Sequence, residues 1–233
     1  MGKLNMRQFA VIGLGQFGSS VARSLAQKGC EVIAIDKSGD RVAEIADVVS
    51  QALSLDAVDE KSLAALGLKD VDVAVVSTGQ DIEASISIVL ILKEMGVKEI
   101  VAKAVTDMHG TILKKVGADR VIFPERDMGE RIAESLSSPN VRDYSEISDT
   151  HGIMELVAPK RFWKKTMADL DLDDEFQVHV AAIKRKVPIV REDGETEIRE
   201  EIILGPKPEE RINQGDVLII IGAYDDIQRV RGL

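Results

Sequence analysis

The chain has 233 residues, 45% of them hydrophobic and only 3% aromatic, with 30 Lys and Arg against 40 Asp and Glu for a formal net charge of −10. That length suits one good core plus a smaller second unit, and the aliphatic bias suits an α/β core. The negative charge excludes functions that depend on attracting a polyanion, so no nucleic-acid partner is expected. The single cysteine, Cys30, cannot form an intrachain disulfide and reads as a buried thiol in a reducing compartment. Met1 to Arg7 lead into the first strand without an apolar h-region, so no secretory leader is expected. The longest apolar runs, Ile88 to Leu92 and Val217 to Ile221, are too short to cross a bilayer.

In chain order, the first element is a buried strand at Ala10, Val11 and Ile12, which runs into Gly13, Gly15 and Gly18. In such a turn the first glycine permits the tight bend, the second lets backbone approach a phosphate, and the third lets the next helix pack close to the sheet. That helix is expected over Ser19 to Lys28, its N-terminal N–H groups facing the anion. Glu31 to Ile35 follows as a strand ending at Asp36, placed to accept hydrogen bonds from ribose hydroxyls and to repel a 2′-phosphate. The motif leaves NAD, ATP, ADP and AMP open.

Four more helix–strand pairs continue the alternation. An amphipathic stretch, Arg41 to Val48, precedes a strand at Ala52 to Leu55; a helix at Val58 to Leu66 precedes a strand at Asp72 to Ser77. An apolar helix, Ile82 to Met95, precedes Ile100 to Ala104, and a helix at Thr106 to Val116 precedes Arg120 to Phe123. Right-handed crossovers wind such units into a doubly wound parallel sheet, with the ligand beyond the carboxyl ends of the strands. Asp56, Thr78, Gly79 and Lys103 lie at those ends. Each alone reads equally as a cap or loop residue, but Lys103 interrupts an apolar strand, and a buried ammonium needs an anion.

After Pro124 the pattern changes. A crossover helix is expected at Glu125 to Leu136, then a polar stretch from Ser137 to Asp149 as the exit from the first domain. From His151 the spacing is strand-rich: Ile153 to Val157, Gln177 to Lys184, Val187 to Val190, Glu197 to Leu204 and Val217 to Gly222, with Asp193-Gly194 as a hairpin signal. Short helices are expected near Thr166 to Leu170 and Asp225 to Val230. The expected organisation is a Rossmann-type domain over 1–124, a crossover helix and linker over 125–149, and a small α+β lobe over 150–233. So small a lobe gains from dimerising.

With these residues in view, the chain resembles the RCK-type (KtrA/TrkA-like) regulatory subunits of bacterial Ktr and Trk potassium uptake systems. The resemblance rests on FAVIGLGQFG from Phe9, Asp36, the Leu55-Asp56-Ala57 segment, VVSTGQD through Asp81, VAKA around Lys103, GADRVIFPERDMGERIA from Gly117, and PEERINQGDVLIIIG from Pro208. It implies an adenine nucleotide, ADP or ATP, with NAD and NADH as further candidates. It implies contacts at Gly13, Leu14, Gly15, Gln16, Phe17, Gly18, Asp36, Lys37, Asp56, Ala57, Thr78, Gly79, Lys103 and Glu125, and a divalent cation shared between protomers at Glu125. It further implies a homodimer assembling into a larger ring, an octamer, docked from the cytoplasm on a KtrB/TrkH-like membrane potassium channel or transporter subunit.

Two sites depart from the family pattern. Gln16 stands where relatives that favour ATP carry arginine, and an amide lacks the charge-assisted bond of a guanidinium. Asp173, Asp174 and Glu175 stand where relatives that bind a cyclic dinucleotide are basic, so no such ligand is expected.

Two rival classes share the first lobe. A nicotinamide-dependent oxidoreductase needs a proton donor or base beside its substrate, whereas His109, His151 and His179 are scattered. An NAD(H)-sensing regulator of transcription needs a basic helix-turn-helix unit, and none is visible. The expectation is therefore ligand-gated regulation without catalysis.

Overall fold

The computed structural model describes residues 7–79, 81–137, 140–191 and 195–232. Two compact units divide at Glu125 and Arg126. The N-terminal Met1 to Met6 and the Asp193-Gly194 hairpin signal lie outside the described residues.

In the first unit β1 (Gln8–Ile12), β2 (Glu31–Asp36), β3 (Gln51–Ser54), β4 (Val73–Val76), β5 (Ile100–Lys103) and β6 (Arg120–Ile122) form one sheet in the order β3-β2-β1-β4-β5-β6. Every pairing is parallel. Strand order therefore reverses between β1 and β4, the switch point at which such sheets open a crevice. Both faces are buried, which is why these strands read as continuous apolar runs rather than alternating ones. Phe9, Val11, Ala34 and Val75 pack on one face with Ala22, Leu25, Val42 and Ile45. On the other face Ala10, Ile12, Ala74 and Val76 pack with Leu63, Ile88, Leu92 and Leu113.

The helices α1 (Gln16–Gln27), α2 (Gly39–Ala43), α3 (Glu60–Ala64), α4 (Ile82–Glu94) and α5 (Asp107–Val116) fill the connections. Arg41 to Val48 gives less helix than its pattern suggests. After α2 the chain tightens into turns in which Ile45, Ala46 and Val48 donate to carbonyls three residues back. Val42 and Ile45 still anchor the segment in the core. Caps fix several starts: Asp59 accepts from the Lys61 N–H, Asp81 from Ala84 and Thr106 from His109. Cys30 is half-buried beside the α1 face rather than fully enclosed.

The helix α6 (Pro124–Ser137) carries the chain into the second unit, where β7 (Val141–Glu146), β8 (His151–Val157), β9 (Val178–Val190), β10 (Thr196–Leu204) and β11 (Val217–Ala223) form an antiparallel sheet ordered β10-β9-β11-β8-β7. Three helices, α7 (Met167–Leu170), α8 (Leu172–Phe176) and α9 (Tyr224–Arg231), complete it. Met154, Leu156, Val180, Ile183, Leu218 and Ile220 turn one face inward against Phe162, Leu170, Leu172, Ile227 and Val230.

Two expectations change here, and one helix is added that the sequence reading had not placed. The stretch from Ser137 to Asp149 contains β7, paired with β8. The two strands expected at Gln177 to Lys184 and Val187 to Val190 are one, β9. Its Pro188 is tolerated because pairing with β11 ends at Lys184, so beyond that point only β10, among the described strands, lies alongside. The acidic run after Leu170-Asp171 forms α8, which Asp171 and Gln177 bracket with left-handed backbone.

Candidate functional site: a cleft at the switch point of the parallel sheet

The turn after β1 is shaped by backbone contacts that only glycine permits. Gly13 has φ +93°, and a Cβ there would lie 2.4 Å from the Ser77 carbonyl oxygen. At Gly18 a Cβ would lie 1.9 Å from the Gly13 carbonyl oxygen, so α1 sits directly against the turn. Gly15 differs, since nothing lies within 4 Å of the position its Cβ would take. It is the N-cap of α1, and no side chain caps that helix. The first-turn N–H groups of Gln16, Phe17 and Gly18 therefore lack intrahelical acceptors, and they carry the positive end of the helix dipole. This is a preformed anion seat facing open space.

Asp36 closes the turn from the end of β2. Its Oδ2 accepts the Leu14 N–H at 2.6 Å and its Oδ1 accepts the Ser38 N–H at 2.8 Å. The side chain is almost fully buried, and Arg41 Nη1 stands 3.6 Å away. A carboxylate has about four lone-pair positions, so each oxygen keeps one for a ligand hydroxyl.

A cleft of about 300 Å³ opens beside these groups. From the expected set it is lined by Gly13, Gly15, Asp36, Lys37, Asp56, Ala57, Thr78 and Gly79. Ile12, Ile35, Leu55, Val58, Ala84 and Ile88 give it an apolar wall. Within it the Thr78 hydroxyl is buried without a protein partner. Asp56 caps no helix; it accepts the Val58 N–H at 3.1 Å, while Asp59 caps α3.

Leu14, Gln16, Phe17, Gly18, Lys103 and Glu125 are not among the lining residues. Leu14 is buried and ties the turn to Asp36, and Gly18 is a packing position. Lys103 has a side chain only 10% exposed, and its partner is Glu125, with the ammonium also 5.8 Å from the Phe17 ring centroid. The anion demanded by that buried ammonium is thus a protein carboxylate. The Lys103 hydrogen bond also holds the Glu125 carboxyl below its ordinary pKa. Among the described residues no group of three His, Cys, Asp or Glu side chains is arranged to hold a metal ion.

The TrkA-N domain family model matches residues 9–124. Over 223 residues the chain is 43% identical to Ktr system potassium uptake protein C of Bacillus subtilis (strain 168), covering 96% of this chain and 95% of that one. It is 37% identical to Ktr system potassium uptake protein A of the same organism, over 98% of this chain and 97% of the relative. The chain belongs to the Ktr potassium uptake family of RCK regulatory subunits.

Solved structures bear out the two-part fold of this Ktr-family chain. The GsuK RCK domain aligns over 100% of it with a TM-score of 0.65 at 15% identity, and the GsuK channel bound to NAD does so with 0.66 at 14%. The chain spans 48% and 40% of those two chains, and at such identity the likeness concerns the fold alone.

Arg41, Ser77 and Asp81 also line the cleft of this Ktr-family chain, beyond the residues expected from the sequence. Ser77 and Asp81 flank Thr78-Gly79 inside VVSTGQD, and their signal was that adjacency to a strand end. Arg41 had a fainter one: a cation five residues beyond Asp36, where the next helix turns back over the strand end.

Proposed function

We propose that this chain is a nucleotide-sensing regulatory subunit that acts without chemistry of its own. The observation that carries the reading is the uncapped start of α1 above an unobstructed Gly15, beside the Asp36 carboxylate, in a chain of the Ktr family. On this reading the N–H groups of Gln16, Phe17 and Gly18 bind phosphate oxygens, and Gly15 lets them approach. The free lone pairs of Asp36 take ribose hydroxyls, Asp56 and Ala57 border the adenine, and the Thr78 hydroxyl gains a partner. Arg41 and Lys37 offset the acidic wall. Gln16 supplies an amide at the phosphate end, so ATP gains little over ADP there.

A divalent cation at Glu125 has to displace the Lys103 ammonium and draw further carboxylates from a second copy, which makes it part of a dimer rather than of one protomer. Among the described residues no helix is long and apolar enough to cross a membrane. The chain therefore acts at the membrane through its partner, a KtrB/TrkH-like potassium transporter subunit, from the cytoplasmic side and as a ring of dimers, eight protomers in all. Nucleotide sets the gate only by binding one ring geometry better than another.

Calorimetric titration of nucleotide-free protein with ADP, ATP, NAD and NADH tests the reading, since the adenosine half is common to all four. Saturable binding of an adenine nucleotide supports it. Absence of binding by all four at millimolar ligand would sink it.

A further inference from the structure

The order β3-β2-β1-β4 sets the direction in which a ligand lies across the cleft. β1 ends in the glycine turn that seats an anion, β2 ends at Asp36, and β3 leads into Leu55, Asp56 and Ala57. A nucleotide laid over these strand ends runs phosphate, ribose, base from β1 outward to β3. The helix α2 joins β2 to β3 and packs against both. Its Arg41 therefore belongs to the ribose and base end, and the buried Val42 beside it fixes the backbone there.

A flat base has two faces to cover. Leu55, Ala57 and Val58 offer an aliphatic surface for one of them. Among the described residues that line the cleft none is Phe, Tyr, Trp or His, so no aromatic ring covers the other. Arg41 carries the one guanidinium among those residues. That group is planar and weakly hydrated, and it stacks on aromatic faces. The Arg41 side chain is 55% exposed, and its Nη1 stops 3.6 Å from Asp36 Oδ2. At that distance no hydrogen bond locks the plane to the carboxylate, so the side chain can swing over the mouth.

Two other uses of this cation fit the site less well. A terminal phosphate belongs at the start of α1, under the β1 turn and away from the β2–β3 side. A 2′-phosphate would meet the Asp36 carboxylate, which repels it.

We propose that Arg41 holds the base: its guanidinium closes over the adenine from the solvent side and presses it against Leu55 and Val58. The inference rests on nucleotide binding in this cleft and adds the group that covers the ring. Arg41 acts here through its plane rather than through its charge.

The test is calorimetric titration of the full chain and of Arg41 variants with whichever of ADP, ATP, NAD and NADH binds the wild type most tightly. Arg41→Ala is expected to weaken binding about tenfold, as the loss of one stack on one base implies. Arg41→Tyr keeps a flat face and discards the charge, and it is expected to recover most of that loss. Arg41→Lys keeps the charge and discards the plane, and it is expected to recover little. Arg41 lies outside the hydrophobic clusters of the first unit, so all three variants are expected to melt with the wild type when no ligand is present. Unchanged affinity in Arg41→Ala, or tighter binding by Arg41→Lys than by Arg41→Tyr, would overturn the proposal and leave Arg41 as a countercharge to Asp36. Wild-type protein that binds NADP at least as tightly as NAD would overturn it in favour of a 2′-phosphate anchor. Failure of the wild type to bind any of the four nucleotides is a different result, which removes the nucleotide site itself and this role with it.

Discussion

Gly15 and Gly18 stand three residues apart in one turn, and replacing each by alanine separates binding from folding. At Gly18 the added Cβ would lie 1.9 Å from the Gly13 carbonyl oxygen, which is backbone and cannot swing aside. Overpacking of that kind costs roughly 1–3 kcal/mol, and a backbone obstacle places it at the upper end. The gain in helix propensity from Gly to Ala returns at most about 1 kcal/mol, so a net loss of about 2 kcal/mol is expected. The first unit runs from Met1 to Glu125, and a unit of this size unfolds with an entropy near 0.26 kcal/mol per degree, which turns that loss into a fall in Tm of about 8 °C.

At Gly15 the φ of −65° suits any residue and nothing lies within 4 Å. Weaker N-capping costs about 1 kcal/mol or less, under about 4 °C. The same Cβ, however, enters the space a phosphate would use. At ligand concentrations near 100 Kd the wild-type protein gains about 2.7 kcal/mol, or roughly 10 °C; tenfold weaker binding removes about half of that. Thermal melts with and without ADP, and in parallel with NADH, read both effects. A Gly15→Ala protein that keeps the full ligand-induced shift would refute the assignment of the phosphate seat, and a Gly18→Ala protein as stable as wild type would refute the packing argument.

Asp36→Asn keeps one oxygen and turns an NH2 group toward either the Leu14 or the Ser38 N–H; the donor left unpaired costs about 1–3 kcal/mol, and nucleotide affinity falls as well, both measurable by melts and titration. Magnesium or calcium added to the nucleotide-bound protein is expected to raise the Tm, with the gain absent in Glu125→Gln; an equal rise in both proteins removes the cation from Glu125. His109 is buried, with Nδ1 accepting the Val105 N–H and Nε2 without a partner, and desolvation lowers its pKa below the ordinary histidine value. The unfolded chain therefore takes up this proton first, so stability is complete above about pH 6.5 and declines as pH falls below it. Glu125, lowered by its Lys103 hydrogen bond, acts in the same direction but only below about pH 4.5. Denaturant melts between pH 7 and 5 isolate the histidine: wild type weakens across that window, and His109→Gln flattens the decline if the argument holds.

The parallel sheet was legible because burial on both faces writes each strand as an uninterrupted apolar run, and because glycine is the residue that tolerates the contacts at Gly13 and Gly18. The second sheet was harder to read. In β7 the register slips between Val141 and Asp143, so Val141 and Tyr144 both turn inward although they stand three positions apart, and period-two alternation is lost. In β9 the run Lys184-Arg185-Lys186 reads as a break, yet Lys184 meets Glu155 at 2.5 Å, and Arg185 binds Asp216 and Glu210. Those partners lie 25 to 31 residues away, and nothing local announces them. The same distance problem governs the site: Lys103 demanded an anion, but only the fold brings Glu125 to it from 22 residues on.

Nucleotide-gated regulation by this chain is read out by potassium flux into liposomes carrying a Ktr transporter subunit, with the chain added and with nucleotide exchanged in turn. The chain is expected to make flux depend on which adenine nucleotide is present, and Gly15→Ala is expected to remove the dependence while the protein still binds the transporter. Flux that is the same in every nucleotide, with the wild-type chain bound to the transporter, would contradict it.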